Sequence, residues 1–316
     1  MRSRAASRVV VNMGSRFADG LLAALEASAP HERFVGCKPG EPVPTDADAL
    51  VTLTDDPAGV VQLMAPHIRW VHMLSTGVDG FPLAAAGDRL VTCSRGASGI
   101  AIAEWVLAVM LAFEKRLPDS WITAPPPQWN VSSLGTLAGR TVGIVGLGAI
   151  GSEVARRALA FDMTVVALRR TQQPSPLAGV ALAGSLRELL ADADHVVVAA
   201  PATSATSHLL DAEAFAACKP GVHLVNVARG ALVDQDALLD ALDRGIVARA
   251  SLDVVDPEPL PSGHPLYGHP GVRLSPHVSW SAPSSMKRTF ELFVDNLRRY
   301  RAGEPLHGVV DLLAGY

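Results

Sequence analysis

The amino-acid sequence predicts an α/β protein with two doubly wound parallel sheets. Short runs rich in β-branched residues alternate with segments of helical periodicity, which is typical of parallel sheets covered by helices. A glycine-rich turn follows one of these runs, at residues 141–145, and leads into a helical pattern. With 316 residues, the chain is long enough for two domains that each bury a core.

The N-terminal part of the chain predicts a small α/β domain. Phe17, Leu21 and Leu25 share one face of the first expected helix. The segment 100–113 is apolar nearly all round, which predicts a helix buried between domains or subunits. Strands are expected at residues 8–13, 49–53, 70–74 and 90–93.

A second series of strands begins after a connecting loop rich in proline and glycine. Each of its strands is accompanied by a helical pattern, as a doubly wound sheet requires. The strands are expected at residues 141–145, 164–168, 195–200, 223–228 and 248–254. A last amphipathic helix is expected from the spacing of Met286, Phe290, Phe293, Val294, Leu297 and Tyr300. Because this helix follows the second series, it can return to the first domain and make that domain discontinuous.

Composition and charge exclude several classes of partner. A formal net charge of −4 and a pI near 6.2 give no basic excess for nucleic-acid binding. Cys37, Cys93 and Cys218 form no Cys-x-x-Cys pair, so we expect free thiols in a reducing cytoplasm and no metal site. The most apolar segment, 100–113, is too short to span a membrane and contains Glu104. The sequence therefore predicts a cytoplasmic protein with no nucleic-acid or membrane partner.

The glycine-rich turn has the Gly-x-Gly-x-x-Gly spacing of a Rossmann-type dinucleotide site. Gly146 would permit the tight turn, Gly148 the approach of a pyrophosphate, and Gly151 close packing of strand and helix. Ala149 and Ile150 would open the helix whose free N–H groups face the phosphates. The alternative is a turn that binds no ligand.

Two arginines stand where such folds usually carry an acid for the adenosine ribose. Arg169 and Arg170 follow the strand expected at 164–168. An acid there accepts hydrogen bonds from the 2′-hydroxyl, whereas guanidinium groups attract a 2′-phosphate. The pair therefore favours NADP over NAD, with NAD still possible. The alternative is that one or both arginines are only solvated at a strand end.

Three polar residues in the last third of the chain follow expected strands. Arg229, Glu258 and His277 each have an ordinary structural explanation when taken singly. All three nevertheless belong to the carboxyl edge of one doubly wound sheet, where ligands bind in such folds. Their joint placement predicts a site.

Ordered motifs along nearly the whole chain resemble those of the D-isomer-specific 2-hydroxyacid dehydrogenase family, in particular its glyoxylate and hydroxypyruvate reductases. The motifs are LSTGVDG (74–80), AIAEW (101–105), GIVGLGAIG (143–151), PATSATSHLL (201–210), KPGVHLVNVARGALVD (219–234), LDVVDPEPLP (252–261) and SPHVS (275–279). The resemblance implies a Rossmann-type cofactor domain at 99–282. It would be inserted in a flavodoxin-like substrate-binding domain made of 1–98 and 283–316, and the protein would be a homodimer.

The resemblance also implies roles for the three polar residues. Arg229 matches the arginine that binds the substrate carboxylate and 2-oxygen, for which a planar permanent cation is suited. Glu258 would orient the imidazole of His277 and stabilise its protonated form. His277 would donate a proton during reduction and act as the base in oxidation.

Further site residues are implied in the same way. Asp253 would meet the nicotinamide carboxamide, and backbone N–H groups at Thr76 and Gly77 would bind the substrate carboxylate across a cleft from the cofactor domain. The dinucleotide site would also be lined by Pro201, Thr206, Val227 and Ala228.

One departure from the family and two exclusions refine this interpretation. Trp280 is a bulky residue close to the proposed catalytic histidine, and it would either wall the substrate pocket or pack at the domain interface. Glu258 disfavours the formate dehydrogenase branch, which has glutamine there. A short-chain dehydrogenase is disfavoured because Tyr267, Tyr300 and Tyr316 begin no Tyr-x-x-x-Lys motif.

The predicted function is hydride transfer between NAD(P)H and a small 2-keto acid. Glyoxylate, hydroxypyruvate and an aryl pyruvate are the candidate substrates, with a D-2-hydroxy acid as product. The alternative is a dinucleotide-sensing protein that keeps the fold and acts through partner contacts, as the related C-terminal binding proteins do.

Overall fold

A computed structural model describes residues 7–15, 18–53, 55–130, 133–170 and 174–316. The chain divides into two compact units. The first unit consists of Met1–Ser98 and Ala282–Tyr316, and the second consists of Gly99–Ser281. Phe17, which the sequence places on the first helix, lies outside the described residues.

Strands and helices alternate in both units. The first unit begins with β1 (Arg8–Asn12), α1 (Ala18–Ser28), β2 (Phe34–Cys37), β3 (Ala47–Thr52), α2 (Pro57–Leu63), β4 (Trp70–Met73) and β5 (Leu90–Cys93). The second unit contains α3 (Gly99–Glu114), β6 (Thr141–Val145), α4 (Ala149–Ala160), β7 (Thr164–Leu168), β8 (Val180–Leu182), α5 (Leu186–Asp192), β9 (His195–Val198), α6 (Ala212–Ala216), β10 (Val222–Asn226), α7 (Gln235–Asp243), β11 (Val247–Leu252), α8 (Pro265–Gly268) and β12 (Val272–Leu274). The chain then returns to the first unit with α9 (Pro283–Ala302).

The first unit is a five-stranded parallel sheet in the order β2-β1-β3-β4-β5. Its strands are apolar on both faces because helices cover both. Val10 packs on the face covered by α2, whereas Val9 and Val11 pack on the opposite face. That second face also holds Leu25 from α1 and Phe293 from α9, so α9 completes the core of the N-terminal residues.

The second unit is a seven-stranded parallel sheet in the order β12-β11-β10-β9-β6-β7-β8. The chain starts in the middle at β6, builds outward to β8, and then crosses back to β9 on the other side. Strand order therefore reverses between β6 and β9, which is where ligands bind in doubly wound sheets. The predicted fold class, α/β with two parallel sheets, is confirmed.

Three described strands were not predicted from the sequence. They are β2, β8 and β12, and each forms an edge of its sheet. β8 and β12 have only three residues, which is too short for a periodic pattern to stand out, and the four-residue β2 contains Gly36, a residue type that is unfavourable in strands. The predicted interior strands are all present, with ends shifted by one or two residues in several cases.

The described residues contain neither a membrane-spanning helix nor a cluster of metal ligands. In these stretches of the chain, no helix is both long and apolar enough to cross a bilayer. Within the same residues, no three side chains of His, Cys, Asp or Glu gather in a way that could hold a metal ion.

Candidate active site

The glycine-rich turn lies at the strand-order reversal. Gly146 follows β6 with φ +101°, and a Cβ there would lie 2.7 Å from the backbone nitrogen of Ala200. A Cβ on Gly151 would lie 2.0 Å from the carbonyl oxygen of Gly146. Any larger residue would therefore push the turn away from the segment after β9, or α4 away from β6.

The N-terminus of α4 is open in a way that fits a dinucleotide pyrophosphate. A Cβ on Gly148 would meet no atom within 4 Å, so this side of the turn is not filled by the chain itself. Gly148 is the N-cap and provides no capping side chain, and Ala149 is exposed while Ile150 is half-buried. The first N–H groups and the positive end of the helix dipole are therefore available to an anion.

Arg169 and Arg170 are next to this turn. The Gly146 N–H donates to the carbonyl of Leu168 at 2.8 Å, which ties the glycine turn to the end of β7. Arg169 is half-buried, and its Nη1 donates to the carbonyl of Pro174 at 3.3 Å. Arg170 is exposed. Both arginines therefore lie directly after β7, which is the ribose end of the expected dinucleotide site.

The other residues predicted to line the dinucleotide follow β9 and β10. The Thr206 hydroxyl donates to the Pro201 carbonyl at 2.8 Å and closes the turn between them. Val227 and Ala228 are buried, and the Val227 N–H donates to the carbonyl of Val198 at 3.3 Å. These bonds hold the loop after β10 against the end of β9.

The loop that carries Arg229 is organised by a buried asparagine. Asn226 is 1% exposed; its Nδ2 donates to the carbonyl of Arg229 at 2.9 Å, and its Oδ1 accepts from the Ala228 N–H at 3.0 Å. Arg229 is half-buried, with Nη1 donating to the Ala228 carbonyl at 2.5 Å. The asparagine therefore sets the turn from which the guanidinium projects.

Gly230 brings the Arg229 loop against the loop that carries Glu258. A Cβ on Gly230 would lie 2.0 Å from the carbonyl carbon of Val255 and 2.5 Å from the nitrogen of Asp256. Gln235 joins the same two loops, because its Nε2 donates to the Asp256 carbonyl at 2.5 Å. The two segments are thus in backbone contact although they follow different strands.

Glu258 and His277 form a hydrogen-bonded pair. Nδ1 of His277 lies 2.8 Å from Oε2 of Glu258, and the carboxylate also accepts from the Val255 N–H at 3.2 Å through Oε1. The two side chains are 37% and 39% exposed for Glu258 and His277 respectively. Because the carboxylate accepts at Nδ1, the opposite ring nitrogen, Nε2, is the one left to exchange a proton.

The backbone of His277 has an unusual conformation. Its φ is +56°, in the left-handed region that a residue with a Cβ adopts at a cost of about 1 kcal/mol. Its N–H donates to the carbonyls of Asp253 at 2.9 Å and Ser275 at 3.0 Å. Its carbonyl accepts from Nε1 of Trp280 at 2.8 Å. The surrounding loop therefore holds the residue in this strained conformation.

Asp253 is a buried anchor for that loop. It is 2% exposed, and its carboxylate accepts from Ser275 Oγ at 2.5 Å, Val278 N at 2.9 Å and Ser279 N at 2.9 Å. Both carboxylate oxygens thus bind residues that flank His277. The contact with a nicotinamide expected from the sequence stays a prediction.

Thr76 and Gly77 belong to the first unit, in the loop after β4. The carbonyl of Gly77 accepts from Ser75 Oγ at 2.7 Å, and the carbonyl of Thr76 accepts from Cys93 Sγ at 3.4 Å. These bonds occupy the carbonyl oxygens and not the N–H groups of the two residues. Their role in carboxylate binding stays a prediction.

The sequence analysis did not identify three residues that hold the loops of the candidate site. They are Asn226, Gln235 and Ser275, and each bonds a loop that carries one of the proposed catalytic side chains. Asn226 could have been found, because a buried asparagine at the end of an apolar strand needs partners in the following turn. Gln235 and Ser275 carry no such signal, since their partners lie in the segment that follows β11.

Two buried histidines lie together at the edge of the sheet opposite to the candidate site. His195 begins β9 and is 3.1 Å from His223 of β10 between their Nδ1 atoms, and its Nε2 is 3.2 Å from Oε1 of Glu114. Burial lowers the pKa of His195 to about 4 and that of His223 well below the ordinary value. These rings lie near the amino ends of strands whose carboxyl ends carry the candidate site, so they form a separate structural cluster.

Comparison with known proteins agrees with this geometry. Residues 107–279 match the model of the D-isomer specific 2-hydroxyacid dehydrogenase NAD binding domain. The chain is 35% identical over 271 residues to a glyoxylate reductase of Korarchaeum cryptofilum, covering 82% of this chain and 81% of that one. It is 37% identical over 277 residues to a D-3-phosphoglycerate dehydrogenase of Mycobacterium tuberculosis, covering 85% of this chain and 52% of that protein.

Solved structures give the same result over nearly the full length. A D-isomer specific 2-hydroxyacid dehydrogenase from Xanthobacter autotrophicus, in complex with NADPH and MES, superposes with a TM-score of 0.86 and 30% identity, covering 98% of this chain and all of that one. An NADPH-dependent glyoxylate/hydroxypyruvate reductase from Sinorhizobium meliloti, in complex with NADP and sulfate, superposes with a TM-score of 0.84 and 27% identity, at 98% and 100% coverage. The chain therefore belongs to the D-isomer specific 2-hydroxyacid dehydrogenase family and is an NAD(P)-dependent oxidoreductase.

Proposed function

We propose that this enzyme reduces a small 2-keto acid, such as glyoxylate, hydroxypyruvate or an aryl pyruvate, to the D-2-hydroxy acid, with NADPH preferred over NADH. The observation that carries the proposal is the Glu258–His277 pair, at 2.8 Å, on a loop at the carboxyl edge of the sheet. Gly230 brings the Arg229 loop into backbone contact with the loop of Glu258. One edge thus combines a permanent cation with a carboxylate-oriented imidazole.

Arg229 would bind the substrate. Its guanidinium can pair with the carboxylate of a 2-keto acid through two parallel N–H donors, which fixes the plane of the acid. The same cation draws electron density towards the 2-oxygen and stabilises the negative charge that grows there during reduction. Asn226 supports this role because it holds the Arg229 turn from beneath.

His277 would supply the proton. A bound dinucleotide would provide the hydride for C2 of the keto acid, and reduction would leave negative charge on the 2-oxygen. His277 would then give its Nε2 proton to that oxygen, while Nδ1 keeps its proton and donates it as a hydrogen bond to Glu258, which stabilises the imidazolium before transfer. In the reverse direction the neutral imidazole takes the hydroxyl proton.

The preference for NADPH rests on the end of β7. Arg169 and Arg170 stand there in place of an acid, and the glycine turn is bonded to the same strand end through Leu168. A 2′-phosphate would gain charge-assisted hydrogen bonds from guanidinium groups, whereas a 2′-hydroxyl would gain little. The two structural relatives named above were crystallised with NADPH or NADP, which supports the same assignment.

We further propose a cytoplasmic homodimer, as the sequence predicts. The segment after α3 exposes large apolar side chains, and Trp121 and Trp129 are each 71% exposed. Large exposed aromatic groups on a single chain are typical of association surfaces. Sedimentation velocity of the purified protein measures the oligomeric state directly, and a single monomer species over a wide concentration range would contradict the dimer.

The function is tested by a spectrophotometric screen. Glyoxylate, hydroxypyruvate, pyruvate and phenylpyruvate are offered with NADPH and with NADH in parallel, and oxidation of the cofactor is followed. We expect turnover with at least one keto acid and a higher kcat/KM with NADPH. Absence of oxidation with every keto acid, in a protein that still binds the cofactor, would favour a dinucleotide-sensing role. Equal efficiency with both cofactors would refute the NADPH preference.

A further inference from the structure

The loop that carries His277 is short and is anchored by the buried carboxylate of Asp253. Asp253 gathers Ser275, Val278 and Ser279 through its buried carboxylate. These bonds hold residues on either side of His277, and one of them holds the N–H end of the peptide that follows His277, since that N–H belongs to Val278. The carbonyl end of the same peptide is held by a different contact. That peptide includes the carbonyl oxygen of His277.

Trp280 makes that contact. Its indole Nε1 donates to the carbonyl of His277 at 2.8 Å. The Trp280 residue is 41% exposed, so a large apolar ring is kept at the surface while its one polar atom is bonded inside the loop. An indole has a single donor and no acceptor, so this bond uses its whole hydrogen-bonding capacity.

The conformation of His277 explains why this bond matters. With φ at +56°, the residue is in a region that side chains with a Cβ leave readily unless neighbouring groups hold them. Relaxation of φ towards negative values would turn the Cα–Cβ bond and the His277 carbonyl together about the N–Cα bond. The imidazole would then move away from Oε2 of Glu258, with which Nδ1 is paired at 2.8 Å.

The position of the loop in the chain is a further reason for the His277 backbone to be held in place. The second unit ends at Ser281, and the chain enters the first unit at Ala282. Displacement of the backbone at residue 282 can reach His277 through only a few rotatable bonds. The hydrogen bond that closes residues 277–280 into a ring restrains the His277 carbonyl against such a displacement.

We propose that Trp280 is a positioning residue whose indole N–H holds the carbonyl of His277 and so keeps the imidazole on Glu258 with Nε2 directed to the substrate oxygen. This inference rests on the proposed role of His277 as the proton donor. It differs from both alternatives left by the sequence, because the N–H group and not the bulk of the ring is the functional part.

Trp280→Phe tests the proposal, because phenylalanine keeps an aromatic ring and removes only the N–H donor. Loss of one hydrogen bond that positions a catalytic group should lower kcat by roughly tenfold. We expect KM for the keto acid to change by less than about twofold and the affinity for NADPH to stay unchanged, since Arg229 and the glycine turn are intact. Ser28→Ala is the control, because it also removes one side-chain donor to a backbone carbonyl, that of Ala24 at 2.7 Å, on an exposed part of α1.

A measurement that needs no turnover tests the positioning role of Trp280 separately from the proposed function. The Nδ1 proton that His277 shares with Glu258 is followed by NMR in ¹⁵N-histidine-labelled protein, with His277→Gln to assign the signal. We expect a protected signal in the wild type and in Ser28→Ala, and a broadened or lost one in Trp280→Phe. If the wild type reduces no keto acid, the proposed function fails, and this signal still decides whether the indole positions the imidazole.

Two results would overturn the inference. An unchanged kcat and an unchanged imidazole signal in Trp280→Phe would show that the N–H has no positioning role. A change confined to KM, with a normal signal, would show that the ring only shapes the pocket. Trp280→Leu, which also lacks the donor, is read by the same criteria if Trp280→Phe does not fold, as judged by NADPH binding and thermal unfolding.

Discussion

At the scale of single residues, the candidate chemistry depends on three side chains that differ in how much the surrounding structure determines them. Arg229 projects from a turn set by Asn226, and Glu258 accepts a backbone N–H as well as the imidazole. His277 is the most constrained, because its backbone is held in a disfavoured region by bonds at both its N–H and its carbonyl. The residue types were evident from the sequence, and the constraints were not.

Removal of the imidazole should abolish proton transfer. We expect His277→Ala to lower kcat on the order of 10² to 10⁴-fold, because a positioned general acid contributes about that much to rate. NADPH affinity, measured by fluorescence titration, should remain within about twofold of the wild type, since the glycine turn is on another loop. A variant with normal turnover would refute the assignment of His277.

Charge reversal at the end of β7 should change cofactor choice. We expect Arg170→Asp to weaken NADPH roughly ten- to a hundredfold and NADH far less, because the aspartate repels a 2′-phosphate and can accept from a 2′-hydroxyl. Dissociation constants for both cofactors measure this. Arg244→Asp is the control, since Arg244 is 60% exposed and pairs only with Asp240 of its own helix end among the ion pairs described. Equal weakening of NADPH and NADH would indicate that Arg170 is surface charge.

At the scale of elements, the site depends on loops that meet because parallel strands end at one edge. The interior strands β6 and β7 were located to the residue from the sequence, since both are short, mainly apolar runs next to a glycine turn or a helix. Contact between the loops after β10 and β11 was not evident. It depends on Gly230 lying against the backbone of Val255, which no local pattern reports.

An added methyl group at this contact should damage the site. Gly230→Ala places a Cβ 2.0 Å from the carbonyl carbon of Val255, and backbone atoms cannot yield as a flexible side chain would. We expect a loss of stability of about 1 to 3 kcal/mol and a fall in kcat, because the Arg229 and Glu258 loops must separate. Urea unfolding and keto-acid turnover measure the two effects.

Gly268→Ala is the matched control for that substitution. A Cβ on Gly268 would meet no atom within 4 Å, and its φ is not positive. This variant should have nearly wild-type stability and turnover. If Gly230→Ala behaved in the same way, the proposed contact between the two loops would have no role in the site.

At the scale of the whole molecule, each unit buries a histidine under its own sheet and helices. In the first unit, His72 is fully buried between Thr92 Oγ1 at 2.7 Å and Ser94 Oγ at 3.2 Å. Desolvation lowers its pKa to about 3, because the charged ring would lose its hydration. In the second unit, burial lowers the pKa of His195 to about 4. The folded protein therefore keeps both rings neutral at pH values where the unfolded chain would charge them.

This difference makes stability depend on pH. Between the ordinary histidine value near 6.5 and about pH 4, the unfolded chain binds protons that the folded chain does not, so stability should fall as the pH falls. Without His72, the unfolded chain would bind about one proton fewer over this range. His72→Asn should therefore reduce the loss of stability by on the order of 1 kcal/mol per pH unit. Urea unfolding at several pH values measures the slope. An unchanged slope would contradict a neutral, buried His72.

The sequence by itself determined the α/β class with two parallel sheets and the glycine turn after β6, and it selected Arg229, Glu258 and His277 as candidate site residues. These properties are encoded locally, because burial on one or both faces sets the spacing of apolar residues, and tight turns require glycine. Only the tertiary structure decided which side chains are partners. Nδ1 of His277 pairs with a carboxylate 19 residues away, and Trp280 bonds the His277 carbonyl instead of only filling space. Such contacts arise when the sheet brings the carboxyl ends of its strands side by side, and that arrangement is not encoded in any single segment.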